Sequence, residues 1–304
     1  MERTEHAMYE LKQLGERSFY IDCPSKIGLY LMKEHQVCLI DSGNDKDAGK
    51  KVLKLLEAQG WKLDRILCTH SHADHIGGCA VLQQRTGCSI YCRGIDQSLA
   101  AYPLLEPSFL YGGFPPKALR NKFLMAQESQ VQQLTPECLP GGLQMTELDG
   151  HSFSMTGFYT SDQVWFLGDC VTSANIFEKY AVSFLYDPKA YLDTLDKLCR
   201  LKGRWFLPAH GEPAEDICSL AEQNRAKVLE ILSLLLETCS TACSSEQLLQ
   251  TVLNRYGLTM DWNQQVLVGS TIRSYLSYLL DQGMLEADFS DNMLTWKKRS
   301  PQEK

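Results

Sequence analysis

The first part of the chain alternates short apolar runs with polar or proline-containing breaks, which is the pattern of consecutive strands in a sheet. Pro24 and Ser25 form one such break. Between Asp45 and Gln59 the apolar residues recur at the spacing of a helix, and Gly60 follows as a stop signal. The pattern predicts this helix after three strands, which we place at 18–23, 27–32 and 37–41.

A second strand and helix follow directly. A buried strand is predicted over 63–69 and a helix over 76–85. This order indicates a sheet with helices packed on it and functional side chains at the strand ends. Further along, we predict strands at 142–148, 152–158, 163–168 and 205–208, and a helix at 188–201.

Residues 98–131 interrupt this pattern with several prolines and glycines, and we predict a long loop followed by a helix over 117–128. Long insertions in compact domains are often lids or binding loops. We therefore expect substrate-binding residues here, with Tyr111 and Phe114 offering apolar contact and Lys117 and Arg120 attracting a carboxylate or phosphate. The alternative for the basic residues is a solvated helix face.

Long helical patterns replace the strands after residue 214. We predict two domains, 1–214 and 215–304, with the insertion at 98–131 as a lid or substrate loop of the first. Ser244 and Gln247 fit a capping box. Helices predicted at 215–237, 245–256 and 262–282 precede two short strands at 284–287 and 293–296, an order that resembles a winged helix.

Composition narrows the classes of function. The 304 residues are 44% hydrophobic, which is enough for one large core and a smaller one. The net charge of -7 is spread along the chain, and residues 215–304 hold 12 acidic and 8 basic side chains. This balance argues against nucleic acid and a membrane surface as partners, and favours a small molecule held by a local site.

Cysteine usage and the N-terminus both bear on the compartment. The twelve cysteines are scattered singly and form no Cys-x-x-Cys pair, so we predict reduced, mostly buried thiols. The first residues contain no apolar stretch that would serve as a signal sequence. Together these features predict a cytoplasmic protein.

The strongest chemical signal is His70-x-His72-x-Asp74-His75, which follows the strand predicted at 63–69. Imidazole and carboxylate groups are the ligands that zinc takes in catalytic sites, and a site without cysteine can leave positions open for water. Five of the seven histidines of the chain fall in this motif or in the two histidine motifs that follow it, which argues against an incidental polar loop.

Further motifs follow in order along the chain: Gly150-His151, Gly168-Asp169 and Ala209-His210-Gly211. With these motifs, residues 15–214 resemble the metallo-β-lactamase superfamily, in particular the branch that includes glyoxalase II-type thioesterases and lactonases. The resemblance implies an α+β fold, the αβ/βα four-layer sandwich of that superfamily, followed here by a small winged-helix-like domain. The segment Asp41-Ser42-Gly43 also matches, and Asp41 would be a buried carboxylate behind the ligands; an ordinary turn is the alternative.

The resemblance also implies a site with two divalent metal ions. Zinc is the expected metal, with iron and manganese as alternatives. A hydroxide between the ions would be the nucleophile, and Asp74, His75 and Asp169 are the expected catalytic residues. One ion would be held by His70, His72 and His151, the other by Asp74, His75 and His210, and Asp169 would bridge them.

Three functions fit these observations. A hydrolase for a carbonyl ester, thioester or lactone fits best, and hydrolysis of a phosphodiester, as in small endoribonucleases, is the main rival. A non-catalytic regulator that binds DNA through the winged helix is the third, although such a protein would be free to lose ligands and none is lost here. For the winged-helix part we leave open packing on the metal domain and a contact in a homodimer.

Overall fold

The computed structural model describes residues 9–33 and 35–300. The first sheet has seven strands in chain order, antiparallel from β1 to β4 and parallel from β4 to β7. The predicted opening strands and the strand that precedes the histidine motif are confirmed, whereas three short strands were not predicted. The strands are β1 Glu10–Gln13, β2 Ser18–Asp22, β3 Ile27–Leu31, β4 Gln36–Ile40, β5 Lys62–Leu67, β6 Ser89–Cys92 and β7 Val131–Gln133.

The second sheet has four strands in the order β11-β10-β9-β8, and only β10 and β11 are parallel. These strands are β8 Leu143–Glu147, β9 Thr156–Thr160, β10 Val164–Gly168 and β11 Trp205–Pro208. The strand predicted over 152–158 is wrong at its start, because β9 begins four residues later. Ser154 donates its backbone N–H to the buried Asp96 carboxylate at 2.6 Å, so this segment is anchored as a loop.

Helices cover the outer faces of both sheets. The regular helices confirm most of the predicted segments, although the one predicted over 76–85 is divided between α2 and α3. The helices are α1 Lys46–Ala58, α2 Ala73–Ile76, α3 Cys79–Thr86, α4 Gly94–Ala101, α5 Leu105–Tyr111, α6 Ala174–Tyr180, α7 Pro188–Leu198, α8 Cys218–Thr238, α9 Ser245–Tyr256 and α10 Trp262–Asp281.

In the insertion at 98–131, one predicted element is wrong. It holds the end of α4 and all of α5, and the segment 117–128, predicted as a helix, forms turns instead. The Asn121 side chain accepts a hydrogen bond from the Phe123 N–H and donates one to the Ala118 carbonyl, so it competes with helical hydrogen bonding. Leu119 and Leu124 are both buried against α5 and α10, which anchors these turns to the rest of the molecule.

The two sheets pack face to face. Tyr30 and Ile40 of the first sheet share an apolar cluster with Phe158 and Phe166 of the second. A Cβ atom at Gly28 of β3 would lie 2.5 Å from the Phe166 ring, so glycine is required for this close approach. With helices on both outer faces, the fold is the predicted αβ/βα four-layer sandwich.

The C-terminal part is a helical layer that ends in a hairpin. Helices α8–α10 precede the antiparallel strands β12 Leu285–Asp288 and β13 Thr295–Lys298. Ser244 and Gln247 form the predicted capping box at α9. Leu232 and Ile272 belong to the same apolar cluster as Leu167 of β10, so the C-terminal helices pack directly on the second sheet.

The prediction for the cysteines is only partly confirmed. Nine free cysteines are buried and Cys138 is partly exposed. Cys199 and Cys218, however, are joined in a disulfide between the end of α7 and the start of α8, so the expectation that all thiols are reduced is wrong. The two residues meet because α7 and α8 pack side by side, which the isolated spacing of the cysteines did not indicate.

Between residues 9 and 300, leaving aside residue 34, no helix combines the length and apolar character that a membrane crossing requires.

Gly150, which precedes a motif histidine, generates a first prediction. Its φ is +120°, and a Cβ there would lie 2.3 Å from the Tyr191 backbone nitrogen. Gly150→Ala should lower the free energy of unfolding by on the order of 3 kcal/mol, since it adds both backbone strain and overpacking. Urea denaturation measures the loss. Gly141→Ala is the control, because its Cβ would meet nothing within 4 Å; equal effects of the two changes would contradict the prediction.

Candidate metal centre

All of the predicted ligands follow the ends of strands on one edge of the sandwich. The histidine motif comes after β5, and α2 begins inside it at Ala73. Asp169 directly follows β10 and His210 lies two residues beyond β11. His151 lies on the loop between β8 and β9, and the Tyr186 and Asp187 N–H groups both donate to the Gly150 carbonyl beside it at 2.9 Å. The fold thus brings together side chains that are far apart in the chain.

The seven side chains form two adjoining groups. One group is His70, His72 and His151, and the other is Asp74, His75, Asp169 and His210; within each group the candidate ligand atoms lie within 4.8 Å of one another.

Contacts within and between the groups are short. His151 Nε2 lies 3.0 Å from His72 Nδ1, and His210 Nε2 lies 3.0 Å from Asp74 Oδ2. Asp169 Oδ2 lies 3.7 Å from His151 Nε2 and 3.4 Å from His210 Nε2, so this carboxylate contacts both groups. This is the position expected for a residue shared between two ions.

Three of the imidazoles are oriented by hydrogen bonds on their outer nitrogens. The Nδ1 atoms contact the Thr69 hydroxyl at 3.0 Å from His70, the Asp41 carboxylate at 2.8 Å from His75 and the Pro24 carbonyl at 3.0 Å from His210. A carbonyl or carboxylate only accepts, so His75 and His210 carry their protons on Nδ1. Their Nε2 atoms therefore face the other candidate ligands, and Nε2 is the nitrogen that a metal ion would bind after its proton is lost.

Asp41 is buried beside the histidine motif and contacts His75 and Thr69. It is 2% exposed and follows β4 in the left-handed region, with φ of 65°. Besides the His75 ring it accepts hydrogen bonds from the Thr69 N–H at 2.7 Å and from the Thr69 hydroxyl at 2.8 Å. Because that hydroxyl donates to Asp41, it accepts from His70 Nδ1. One carboxylate thereby orients two histidines.

Two buried polar atoms in the cluster have no hydrogen-bond partner among the described residues. They are His70 Nε2 and Asp169 Oδ1, although His75 Nε2 lies 3.3 Å from the second atom, outside hydrogen-bond geometry. An unpartnered buried polar atom costs about 1–3 kcal/mol, and both atoms are electron-pair donors that face the other ligands. This arrangement fits a bound cation, which would accept both electron pairs.

Electrostatics differ between the two groups. Burial lowers the pKa of His70, that of His72 to about 4 and that of His151 to about 3, so these rings are neutral ligands at pH 7. Burial would lower the pKa of His210 as well, but Asp169 and Asp74 outweigh it and raise that pKa to about 10. The two carboxylates of the second group thus favour protonated His75 and His210 rings where no other cation is bound.

Asp96 is a buried residue of α4 that was not predicted. Its Oδ1 accepts from the Ser71 N–H at 3.0 Å and the Ser71 hydroxyl at 2.7 Å. Its Oδ2 accepts from the Ser154 N–H at 2.6 Å. Asp96 therefore ties the histidine motif to the loop that carries His151. Only the folded chain brings these residues together, and the local sequence around Asp96 carries no signal of this role.

Glu106 of α5 is a second residue that was not predicted. It is 7% exposed, and its Oε1 lies 3.6 Å from His72 Nε2. Burial raises the pKa of Glu106 to about 8. Because His72 Nδ1 faces His151, its Nε2 is free to face this carboxyl group. The insertion thus reaches the cluster through α5.

Three cavities of the described part of the chain lie at or near the cluster. One, of about 190 Å³, is lined by His151, Asp169 and His210 themselves. Another, of about 510 Å³, is lined by His210 and by the segment 22–26. The largest, of about 620 Å³, lies between α5, residues 184–189 and α10 and contains none of the seven side chains. Phe184 lines the smallest and the largest of these cavities, and its ring centroid lies 5.2 Å from that of His72.

The four residues expected to bind substrate line none of these cavities. Tyr111 and Phe114 are 45% and 71% exposed, and the Arg120 guanidinium lies over the Phe114 ring at 5.0 Å. Lys117 is also exposed. The insertion lines the largest cavity through Phe109 instead, so a role for these four residues in binding substrate remains a prediction.

The fold and this cluster together indicate one class of protein, and comparison of the sequence with family profiles identifies that class. Residues 22–210 match the family profile described as the metallo-beta-lactamase superfamily. The chain belongs to this superfamily.

Two curated relatives illustrate the similarity in sequence. A hydroxyacylglutathione hydrolase from Albidiferax ferrireducens is 27% identical over 174 residues, which is 55% of this chain and 54% of that protein. Another, from Bradyrhizobium sp. (strain ORS 278), is 43% identical over 61 residues, or 20% of this chain and 24% of that protein. The chain thus spans about a quarter to a half of the length of these relatives.

Solved structures resemble the whole chain. A beta-lactamase domain protein from Burkholderia ambifaria superposes with a TM-score of 0.78 at 15% identity, covering 98% of this chain and 96% of that one. A metallo-beta-lactamase family protein from Thermus thermophilus gives 0.67 at 18% identity, covering 95% and 98%. At these identities the likeness establishes the fold, including the C-terminal helical part.

Asp96 generates a second prediction. In Asp96→Asn an NH₂ group replaces one acceptor oxygen and opposes an N–H of Ser71 or Ser154. Exchange of the buried amide hydrogen of Ser71 or of Ser154 should become roughly tenfold faster or more, since one of these two buried donors loses its acceptor. Hydrogen exchange followed by NMR or mass spectrometry measures it. Asp193→Asn, which alters only an exposed pair with Lys189, is the control; unchanged exchange in Asp96→Asn would refute the role assigned to Asp96.

Proposed function

We propose that this protein is a metal-dependent hydrolase that cleaves a carbonyl ester, thioester or lactone. One observation carries the proposal: seven imidazole and carboxylate groups converge in two groups, with buried electron pairs left unpartnered inside them. Such a donor set without cysteine is typical of catalytic rather than structural metal sites. The superfamily and the name of the curated relatives agree with this reaction class.

The residues we assign to metal binding are those of the two groups. His70, His72 and His151 would hold one divalent ion, Asp74, His75 and His210 a second, and Asp169 would be shared between them. Zinc is the metal we expect. Bound ions of this kind supply a hydroxide nucleophile near neutral pH and polarise a carbonyl oxygen.

The rest of the chain keeps these ligands in place. Asp41 holds the His75 ring, and Thr69 transmits the same constraint to His70. Glu106 faces the outer nitrogen of His72. Rings that are oriented before the ion arrives lose little conformational entropy on binding, so these contacts favour metal affinity.

We prefer a carbonyl substrate to a phosphodiester on two grounds. The smallest cavity beside the cluster is lined mainly by apolar side chains, among them Val171, Val182 and Leu267. A nucleic acid would instead require a basic surface, and the C-terminal part has more acidic than basic residues. All seven candidate ligands lie before residue 215. We therefore assign residues 1–214 as the catalytic domain and 215–304 as an accessory, winged-helix-like domain.

Metal content is a third prediction. The purified protein should bind two equivalents of zinc, and Asp74→Ala and His75→Ala should each reduce this to about one and lower hydrolysis by about a hundredfold or more. Elemental analysis by mass spectrometry after dialysis measures the stoichiometry. His35→Asn is the control, since His35 is exposed and asparagine tolerates its φ of 65°. Two tightly bound equivalents in both alanine variants would rule out the assignment of the second group.

Substrate class is a fourth prediction. The zinc-loaded protein should hydrolyse members of a panel of thioesters, esters and lactones faster than bis-phosphodiesters, since a planar acyl group suits the narrow apolar cavity. Release of thiol, acid or alcohol measures each rate. The metal-free protein serves as the control. Faster turnover of a phosphodiester would overturn the carbonyl assignment and leave the metal site intact.

A further inference from the structure

The smallest cavity has walls from both parts of the chain. The catalytic side is formed by His151, Asp169 and His210, and the opposite side by three residues of α10. These three are Gln264, Leu267 and Val268, which lie one helical turn apart on the same face. They lie beyond the segment that matches the superfamily profile, which ends at residue 210. Helix α10 therefore forms part of the wall of a cavity that the candidate metal ligands also line.

Gln264 is the polar residue of this α10 wall, and its carboxamide is not used by the fold. Its Oε1 is buried and has no hydrogen-bond partner among the described residues. Its backbone N–H is bound by the Asp261 carboxylate at 2.8 Å, which fixes the first turn of α10. The backbone of Gln264 is thus held by a hydrogen bond, whereas the oxygen at the end of its side chain receives none. A buried acceptor of this kind is stabilised when a ligand supplies a donor.

The size of the cavity limits what it can hold. Its volume is about 190 Å³, and an apolar cavity of roughly 150 Å³ accommodates benzene. A compact group of a few heavy atoms therefore fits, whereas a long chain does not. The cavity of about 620 Å³ that shares Phe184 with it offers room for the larger part of a substrate.

Building on the proposed function, we propose that this cavity receives the acyl group of the substrate, and that Gln264 hydrogen-bonds a hydroxyl or amino donor on that group. The acyl part is the smaller fragment and lies next to the scissile carbonyl, so it occupies the cavity that the ligands line. The leaving group then extends past Phe184 into the largest cavity. Gln264 is a specificity-determining residue in this arrangement, and Leu267 and Val268 limit the size of the acyl group.

The test compares two substrates that differ in one hydroxyl: the acetyl and the hydroxyacetyl thioester of the same thiol. The zinc-loaded wild-type protein should favour the hydroxyacetyl compound in kcat/KM by about tenfold, the value of one hydrogen bond. Gln264→Met preserves the length of the side chain and removes its polar atoms, so it should bring the ratio of the two kcat/KM values close to one. Gln264→Asn, which withdraws the carboxamide by one methylene, should reduce the preference as well.

Gln265→Met is the matched control, because Gln265 is the next residue of α10 and lines none of the three cavities at or near the cluster. Thermal midpoints and zinc content of each variant verify that fold and metal site persist. A wild-type protein without preference, or an unchanged preference in both Gln264 variants, would overturn this inference while the hydrolase proposal stands. If the wild-type protein hydrolyses no thioester, ester or lactone, the proposed function fails, and the assignment of an acyl cavity fails with it.

Discussion

The hydrogen bonds of Asp41 are the constraint on which the candidate site depends. This carboxylate follows β4, and it accepts from the backbone and hydroxyl of Thr69, which follows the neighbouring strand β5, and from the His75 ring. Parallel pairing of β4 and β5 brings the ends of both strands to the same edge. The histidine motif is therefore positioned by the sheet itself, since two of its rings are oriented through one buried acid.

The second sheet contributes its ligands in a different way. Asp169 and His210 follow β10 and β11, which pair in parallel. Their strand ends meet those of β4 and β5 because the two sheets pack face to face, with Gly28 allowing the close approach to Phe166. A packing defect between the sheets would thus separate the two halves of the cluster, even though no ligand had changed.

Contiguous motifs made part of this structure predictable. The histidine motif holds four candidate ligands within six residues, so its metal-binding chemistry can be predicted without knowledge of the fold. Asp96 and Glu106 were missed because their tertiary contacts leave no local pattern in the sequence. Gln264 was missed because only the folded chain places it beside the candidate ligands. The same holds for Cys199 and Cys218, which are brought together by the packing of α7 on α8. The helix predicted over 117–128 failed because its apolar residues are buried by contacts with α5 and α10 rather than on one face of a regular helix.

The charges of the candidate ligands explain why many other residues are needed to keep them in position. Asp74 and Asp169 are both ionised, and contacts with histidine lower the pKa of Asp74 to about 2 although burial alone would raise it. Concentrating such groups in a poorly solvated site costs folding free energy, which packing elsewhere must offset. A cation that binds only the folded state returns part of that free energy. The C-terminal helices share one apolar cluster with the second sheet, so their packing stabilises the part of the molecule that carries Asp169. One of these helices, α10, also forms a wall of the cavity of about 190 Å³. Stability and specificity are therefore coupled through α10.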